Sequence, residues 1–410
     1  MKEFLPAALA VALVWAVLAA LGYLSPAVGA AIAFVAAAGM VWRERRAAPL
    51  RRWNILAESS RDAQLHGLYC VAESRAREAL QAASLLRSDQ ERHQAESALL
   101  LATALNTQKK FAEAEQALRA VPGEGSRLFA QLAHSLAGQT KLPEAEQAAF
   151  RAQQDAGENP NDLDRAAILD ALANIRSRQG RMNEALEHLS EWVKILERST
   201  DPKIRESAGP ARIRLGATYT RARKGDKAAH VLEDCARQSA SRKGQLYDAT
   251  EALSHLCAAL SQEGRPDEAI VAGRRAETLR ATLLTPGDPL HGQVWVNLAI
   301  ACAEAGKPRD AFEYIERASS LKGPLSASET AFLNFARGLA NESSGNYNEA
   351  ESIYRQTLAE VARIHGGSHP VLVDSLVALS RVLRRDNRDE EAAEFEAMQD
   401  RIEEAMNSNA

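Results

Sequence analysis

Cysteine, aromatic residues and net charge are all scarce, and each shortage removes a class of protein. The four cysteines, Cys70, Cys235, Cys257 and Cys302, form no C-x-x-C pair and lie far apart, so free buried thiols in a reducing compartment are the plain reading. Aromatic residues make up 5% of the 410 residues while alanine is abundant, a bias toward closely packed helices and away from sheets, whose strands favour β-branched and aromatic side chains. The expected class is all-α. A formal net charge of -4 with mixed signs along the chain supplies no basic stripe for nucleic acid.

Catalytic constellations are missing too. There is no H-E-x-x-H, no G-x-x-x-x-G-K-[ST] and no G-x-S-x-G, and Gly123-Glu-Gly125 lacks the third glycine and the strand of a dinucleotide fold. His365 and His369 are four apart but enclose Gly-Gly-Ser, which reads as a linker and not as a metal-binding helix face. His134, His188 and His255 lie inside helical segments as core-edge or groove residues. The expectation is a protein with no catalytic residue, no cofactor, no metal and no small-molecule substrate.

Charge is absent altogether between Phe4 and Trp42. One helix of that length would measure roughly 58 Å, about twice a bilayer core of ~30 Å. Gly22-Tyr23-Leu24-Ser25-Pro26 offers turn chemistry in the middle, so the run reads as two spans, Phe4 to Leu24 and Pro26 to Trp42, in a transmembrane helical hairpin over residues 1–42. Gly29, Ala33, Ala37 and Gly39 would let the two helices approach closely. Arg43, Arg45, Arg46, Arg51 and Arg52 then form a basic juxtamembrane linker, residues 43–52, which by the positive-inside rule places the remainder of the chain in the cytoplasm, at the inner membrane. A signal peptide cut near Ala27-Val28-Gly29, or a periplasmic domain after a single crossing, are the competing readings.

What the rest of the chain has in abundance is repetition. Gly306-Lys-Pro-Arg-Asp-Ala311 is echoed at Gly180, Gly264 and Gly345, each with an alanine five residues on. Taking that alanine as a marker gives Ala72, Ala114, Ala145, Ala185, Ala228, Ala269, Ala311, Ala350 and Ala392, at spacings of 42, 31, 40, 43, 41, 42, 39 and 42 residues. Such a period marks a solenoid of helical pairs. Twelve residues before each marker stand Ser60, Ala102, Ala133, Ala173, Gly216, Cys257, Ala299, Gly338 and Ser380, all small. Leucine precedes seven of them, with Ser59 and Arg337 as exceptions, the pattern that an antiparallel pair with closely approaching backbones requires.

These residues resemble the tetratricopeptide repeat (TPR) family, most fully in Trp295, Leu298, Ala299, Gly306, Ala311 and Ala318. The usual repeat of that family is shorter, and the long spacing here, with Leu358 to Pro370 ending in Gly-Gly-Ser-His-Pro, is similar to the repeats of kinesin light chains. The resemblance implies a right-handed superhelix, an α-solenoid of about nine helical hairpins over residues 53–405 with a flexible tail at 406–410, and a concave surface lined by the first helix of each pair.

A partner-binding site would lie on that surface. Arg214 and Arg221 are two turns apart and share a helix face, and Asn174 and Arg178 do so in the preceding copy. Resemblance to TPR domains that clamp carboxylates implies that they hold an acidic peptide by charge-assisted hydrogen bonds; a solvated face paired with nearby acids is the plainer alternative. Asn297, in the Trp295 copy, and Arg381, in the last copy, complete the candidate set. The functional expectation is a membrane-anchored scaffold that docks a partner protein or peptide, the alternative being an accessory subunit that contacts an integral membrane complex through the hairpin. An enzyme or a peptide-controlled regulator finds no catalytic or DNA-reading module in the sequence.

Overall fold

The computed structural model describes residues 26–408 apart from 87, 123–124, 242–244, 286, 322–326 and 368–371. Among them the chain is helical, and the helices form nine antiparallel pairs. The first pair is α1 (Pro26–Leu65) with α2 (Tyr69–Ala83), followed by α3 (Gln90–Thr107) with α4 (Phe111–Arg119), α5 (Ser126–Gly138) with α6 (Leu142–Ala156), and α7 (Asp162–Arg178) with α8 (Met182–Arg198). A short α9 (Pro202–Glu206) leads into α10 (Ala208–Arg221) with α11 (Gly225–Ala240) and α12 (Leu246–Gln262) with α13 (Pro266–Leu283). The last three pairs are α14 (Gly292–Glu304) with α15 (Pro308–Ser319), α16 (Ala327–Ser343) with α17 (Tyr347–His365), and α18 (Val373–Arg385) with α19 (Asp389–Ser408).

Each pair is built by the residues that mark the repeat. All nine marker alanines are fully buried, because a methyl group is what fits where the second helix crosses the first. The nine small residues twelve positions earlier are buried opposite them. At Gly338 a Cβ would stand 2.4 Å from the Tyr354 ring, and Ser60 spends its hydroxyl across the pair on the carbonyl of Ala72, at 2.9 Å. The residue five before each alanine closes the turn in a left-handed conformation in every pair. Gly67, Gly180, Gly264, Gly306 and Gly345 take it at no steric cost, while Lys109, Thr140, Arg223 and Asn387 take it with a side chain.

First helices of successive pairs pack directly on one another, α5 on α7, α10 on α12, α12 on α14 and α14 on α16, which puts them on the inner wall of the solenoid. The apolar core is continuous from Ile213 to Ala392, through Leu232, Leu253, Leu298, Ile315 and Tyr354, whereas the first pairs hold smaller separate clusters around Trp53, Leu105 and Ile175.

The expected placement at the inner membrane is corrected here. Among the described residues no helix is long and apolar enough to cross a membrane. The span expected from Phe4 to Leu24 lies outside the described residues. The one expected from Pro26 to Trp42 is the first part of α1, which runs unbroken through Arg43, Arg45, Arg46, Arg51 and Arg52 into the first pair. The physical reason is length: 17 residues, 26–42, precede the arginines, short of the ~20 that a helical span takes. The stretch expected as a linker, 43–52, is helical: its alanine, leucine and arginine favour the helix, which continues through Pro49.

Candidate functional site

The inner wall of the middle pairs is where polar chemistry concentrates. Asp170, Asn174 and Arg178 lie on successive turns of α7, Arg214 and Arg221 two turns apart on α10, His134 on α5, and Glu251 and His255 one turn apart on α12. Two turns of helix repeat a direction closely, so each helix presents its polar residues along one stripe and neighbouring stripes meet.

The three arginines converge. Arg214 pairs with Asp170 and lies over the Trp192 ring of α8 at 5.2 Å. Arg178 lies over the Phe111 ring at 5.7 Å and turns its Nε toward Asn174 Oδ1 at 3.3 Å. Arg221 donates from Nη1 to Ser177 Oγ at 2.9 Å, reaching back across the helix pair to the end of α7, and from Nε to the carbonyl of Ala217 at 3.3 Å. Among the described residues neither Arg178 nor Arg221 has a carboxylate partner. Asp170 Oδ2 stands 3.5 Å from His134 Nδ1, and Asn174 Nδ2 donates to the carbonyl of His134 at 3.4 Å.

Among the described residues, the one direct carboxylate contact of these three arginines is that of Arg214 with Asp170. Burial, and then the charge of Arg221, pull Arg214 down to about 10. Burial and then Arg178 do the same to Arg221, also to about 10. Burial with Arg214 and Arg178 pushes His134 down to about 3, so that it is neutral at pH 7, and burial lowers Arg178 as well. His255 is lowered by burial, with Glu251 opposing and Arg221 and Arg280 adding to the shift. These groups sense one another while staying open to water: Arg214 keeps 31% of its side-chain exposure and Asp170 20%. Surrounded by protein yet wet is the condition of a groove, and an anion entering it would find charge-assisted donors already held on aromatic rings.

Two candidates from the sequence stand elsewhere. Asn297 is buried and spends its amide on Ser254, donating to the carbonyl at 2.8 Å and to Oγ at 3.3 Å, while its oxygen accepts from Gln293 at 2.9 Å. Arg381 makes a two-pronged pair with Glu342 at 2.6 and 2.8 Å. His369 lies outside the described residues. Sequence reasoning missed Asp170, Trp192 and the role of His134 and His255, although a signal existed for the histidines. His255 occupies the position of Arg214, two before the small residue of its copy, and His134 that of Asn174, one after it.

Outside the groove, a polar cavity of about 330 Å³ opens between α13 and α15, lined by Arg274, Glu277, Asp310 and Tyr314. Its central carboxylate, Glu277, is already satisfied by Trp295 Nε1 at 3.0 Å and Arg317 at 2.5 Å.

Residues 329–397, which span nearly all of the eighth pair, the first helix of the ninth and part of its second, match the family model described as tetratricopeptide repeat. That segment carries the tetratricopeptide repeat, and the described chain as a whole is a solenoid of helical pairs. Its fold is similar to that of a Rap protein complexed with competence and sporulation factor, at 15% identity over 90% of this chain and 99% of that one, with a TM-score of 0.60. It is likewise similar to NprR in complex with its cognate peptide NprX, at 13% identity over 74% and 85% of the two chains with a TM-score of 0.51. Aspartyl phosphate phosphatase F from Bacillus subtilis aligns at 12% identity over 86% and 93%, with a TM-score of 0.52. At these identities the likeness is one of fold. No curated protein matches the sequence.

Proposed function

We propose that the solenoid is a docking module that takes an acidic peptide, or an acidic segment of a partner protein, into its groove. Arg178, Arg214 and Arg221 hold the anionic group, and Asn174 offers its amide to the ligand backbone. The observation that carries this reading is the imbalance of three converging arginines against Asp170 alone. Two fold relatives, the Rap protein and NprR, are described in complex with a factor or peptide, which supports a groove of this shape as a place for one.

The test is fluorescence anisotropy with a library of labelled acidic peptides, first on the wild-type chain and then on R214E/R221E. Each charge-assisted bond contributes roughly 1.5–3 kcal/mol, so a peptide held as proposed loses at least about tenfold in affinity on charge reversal. Unchanged affinity in the double variant would sink the proposal.

A further inference from the structure

The solenoid is wound tightly enough to touch itself. The turn of the first pair meets the start of α12, five pairs on: the Tyr69 and Tyr247 rings cross at 81° with centroids 5.5 Å apart, and a Cβ on Gly67 would fall 2.3 Å from the Tyr247 ring. The turn of the fifth pair meets the ninth. Arg223, between α10 and α11, donates to Asp374 Oδ1 at the start of α18 at 2.6 Å and stands 3.9 Å from Glu403 on α19. Residues 151 positions apart are thus joined, from the fifth pair to the ninth.

The two seams differ in kind. The first is the buried Tyr247 ring seated on a glycine and crossed by the half-buried Tyr69 ring. The second sets Arg223 against several acids. Asp374 and Glu403 face Arg223 directly, and Glu304 lies close enough for its carboxyl to feel the charge of Asp374. The side chains remain open to water, with 30% of Arg223, 46% of Asp374 and 36% of Glu403 exposed, so the pair is screened by salt and holds weakly. Arg223 also occupies the left-handed position that glycine fills in five of the nine pairs, with φ at 54°. A side chain kept where the backbone favours glycine is the kind of local cost that accompanies a role elsewhere.

We propose that the Arg223 seam is the release point of the superhelix: when the ion pair forms, the fifth and ninth pairs are clasped and the coil is short; when it breaks, that link between the turns is lost and the groove widens. The device is independent of what the groove holds. The other seam, the Tyr69–Tyr247 contact, rests on ring packing and not on an ion pair, so opening is confined to the C-terminal half.

Small-angle X-ray scattering on the full chain tests this without a ligand. The wild-type radius of gyration should rise between low salt and about 1 M NaCl, where the Debye length falls to ~3 Å. Arg223→Glu should already be expanded at low salt, with unchanged far-ultraviolet dichroism. Arg384→Glu, which breaks an exposed ion pair to Glu396 within the ninth pair, should match the wild type. A radius that is the same for wild type and Arg223→Glu at every salt concentration overturns the proposal, and so does equal expansion of both variants.

Discussion

At the scale of single residues, the turn position five before each marker alanine carries the clearest energetic consequence. Thr140 holds φ at 63°, a left-handed conformation that a β-branched side chain adopts at a cost of roughly 1–2 kcal/mol. Thr140→Gly removes that cost and adds back part of it as unfolded-state entropy, so the variant should gain about 0.5–1 kcal/mol in denaturant unfolding. The same conformational demand explains why the glycine motif was legible in the sequence for some pairs and blurred in others: the backbone requires the conformation in all nine, but the sequence meets it with glycine in five. A second residue-scale prediction concerns Asp248, buried beside Glu251. Burial, and then the Glu251 charge, raise its carboxyl to about 7. A raised acid contributes most below its unfolded value near 4, and that contribution is lost as pH rises through about 7. Asp248→Asn should therefore stabilise the chain at pH 8, by at most about 4 kcal/mol at 1.36 kcal/mol per unit, and by much less at pH 5, as thermal melts at the two pH values would show.

At the scale of helices, stability is unevenly spread. The largest core cluster runs from the fifth pair to the ninth, beside a smaller one around Leu372 and Leu376, and only small clusters come before it, so the N-terminal pairs rest on few anchors. Trp53 is one of them. It is buried between α1 and α3, donates from Nε1 to Ser97 Oγ at 2.8 Å and meets the edge of the His93 ring. Trp53→Ala should cost about 3–5 kcal/mol locally. Because repeats stabilise only their neighbours, hydrogen exchange should lose protection over residues 53–107 and keep it in the last five pairs. The helix pairs themselves could be read from the sequence, since the alanine and small-residue positions are set by contacts within a pair. Contacts between pairs could not. Asn297 shares its register position with Arg214 and His255, yet its amide is absorbed by Ser254, because the small rotation from one pair to the next decides which neighbour a side chain meets. Arg381 meets Glu342 for the same reason, and α1 continues through the arginines although Pro49 stands among them.

At the scale of the whole molecule, the curvature that escapes the sequence is what makes the site. Arg178, Arg214 and Arg221 were recognisable as residues on inner helix faces, but their convergence with Asp170, His134 and the Trp192 ring depends on successive first helices closing on one another. The same winding brings Arg223 to Asp374, a contact that no local pattern announces. The groove and the clasp are thus two products of one rotation repeated from pair to pair. Photo-crosslinking of the tightest peptide from the acidic library is the sharpest experiment on the groove, with benzophenone placed at Asn174 on the inner wall or at exposed Phe150 on the outer face. A peptide held by the arginines should crosslink from position 174, lose those crosslinks in R214E/R221E and give none from position 150; crosslinks from 150 alone, or from 174 regardless of the arginines, would contradict docking in the groove.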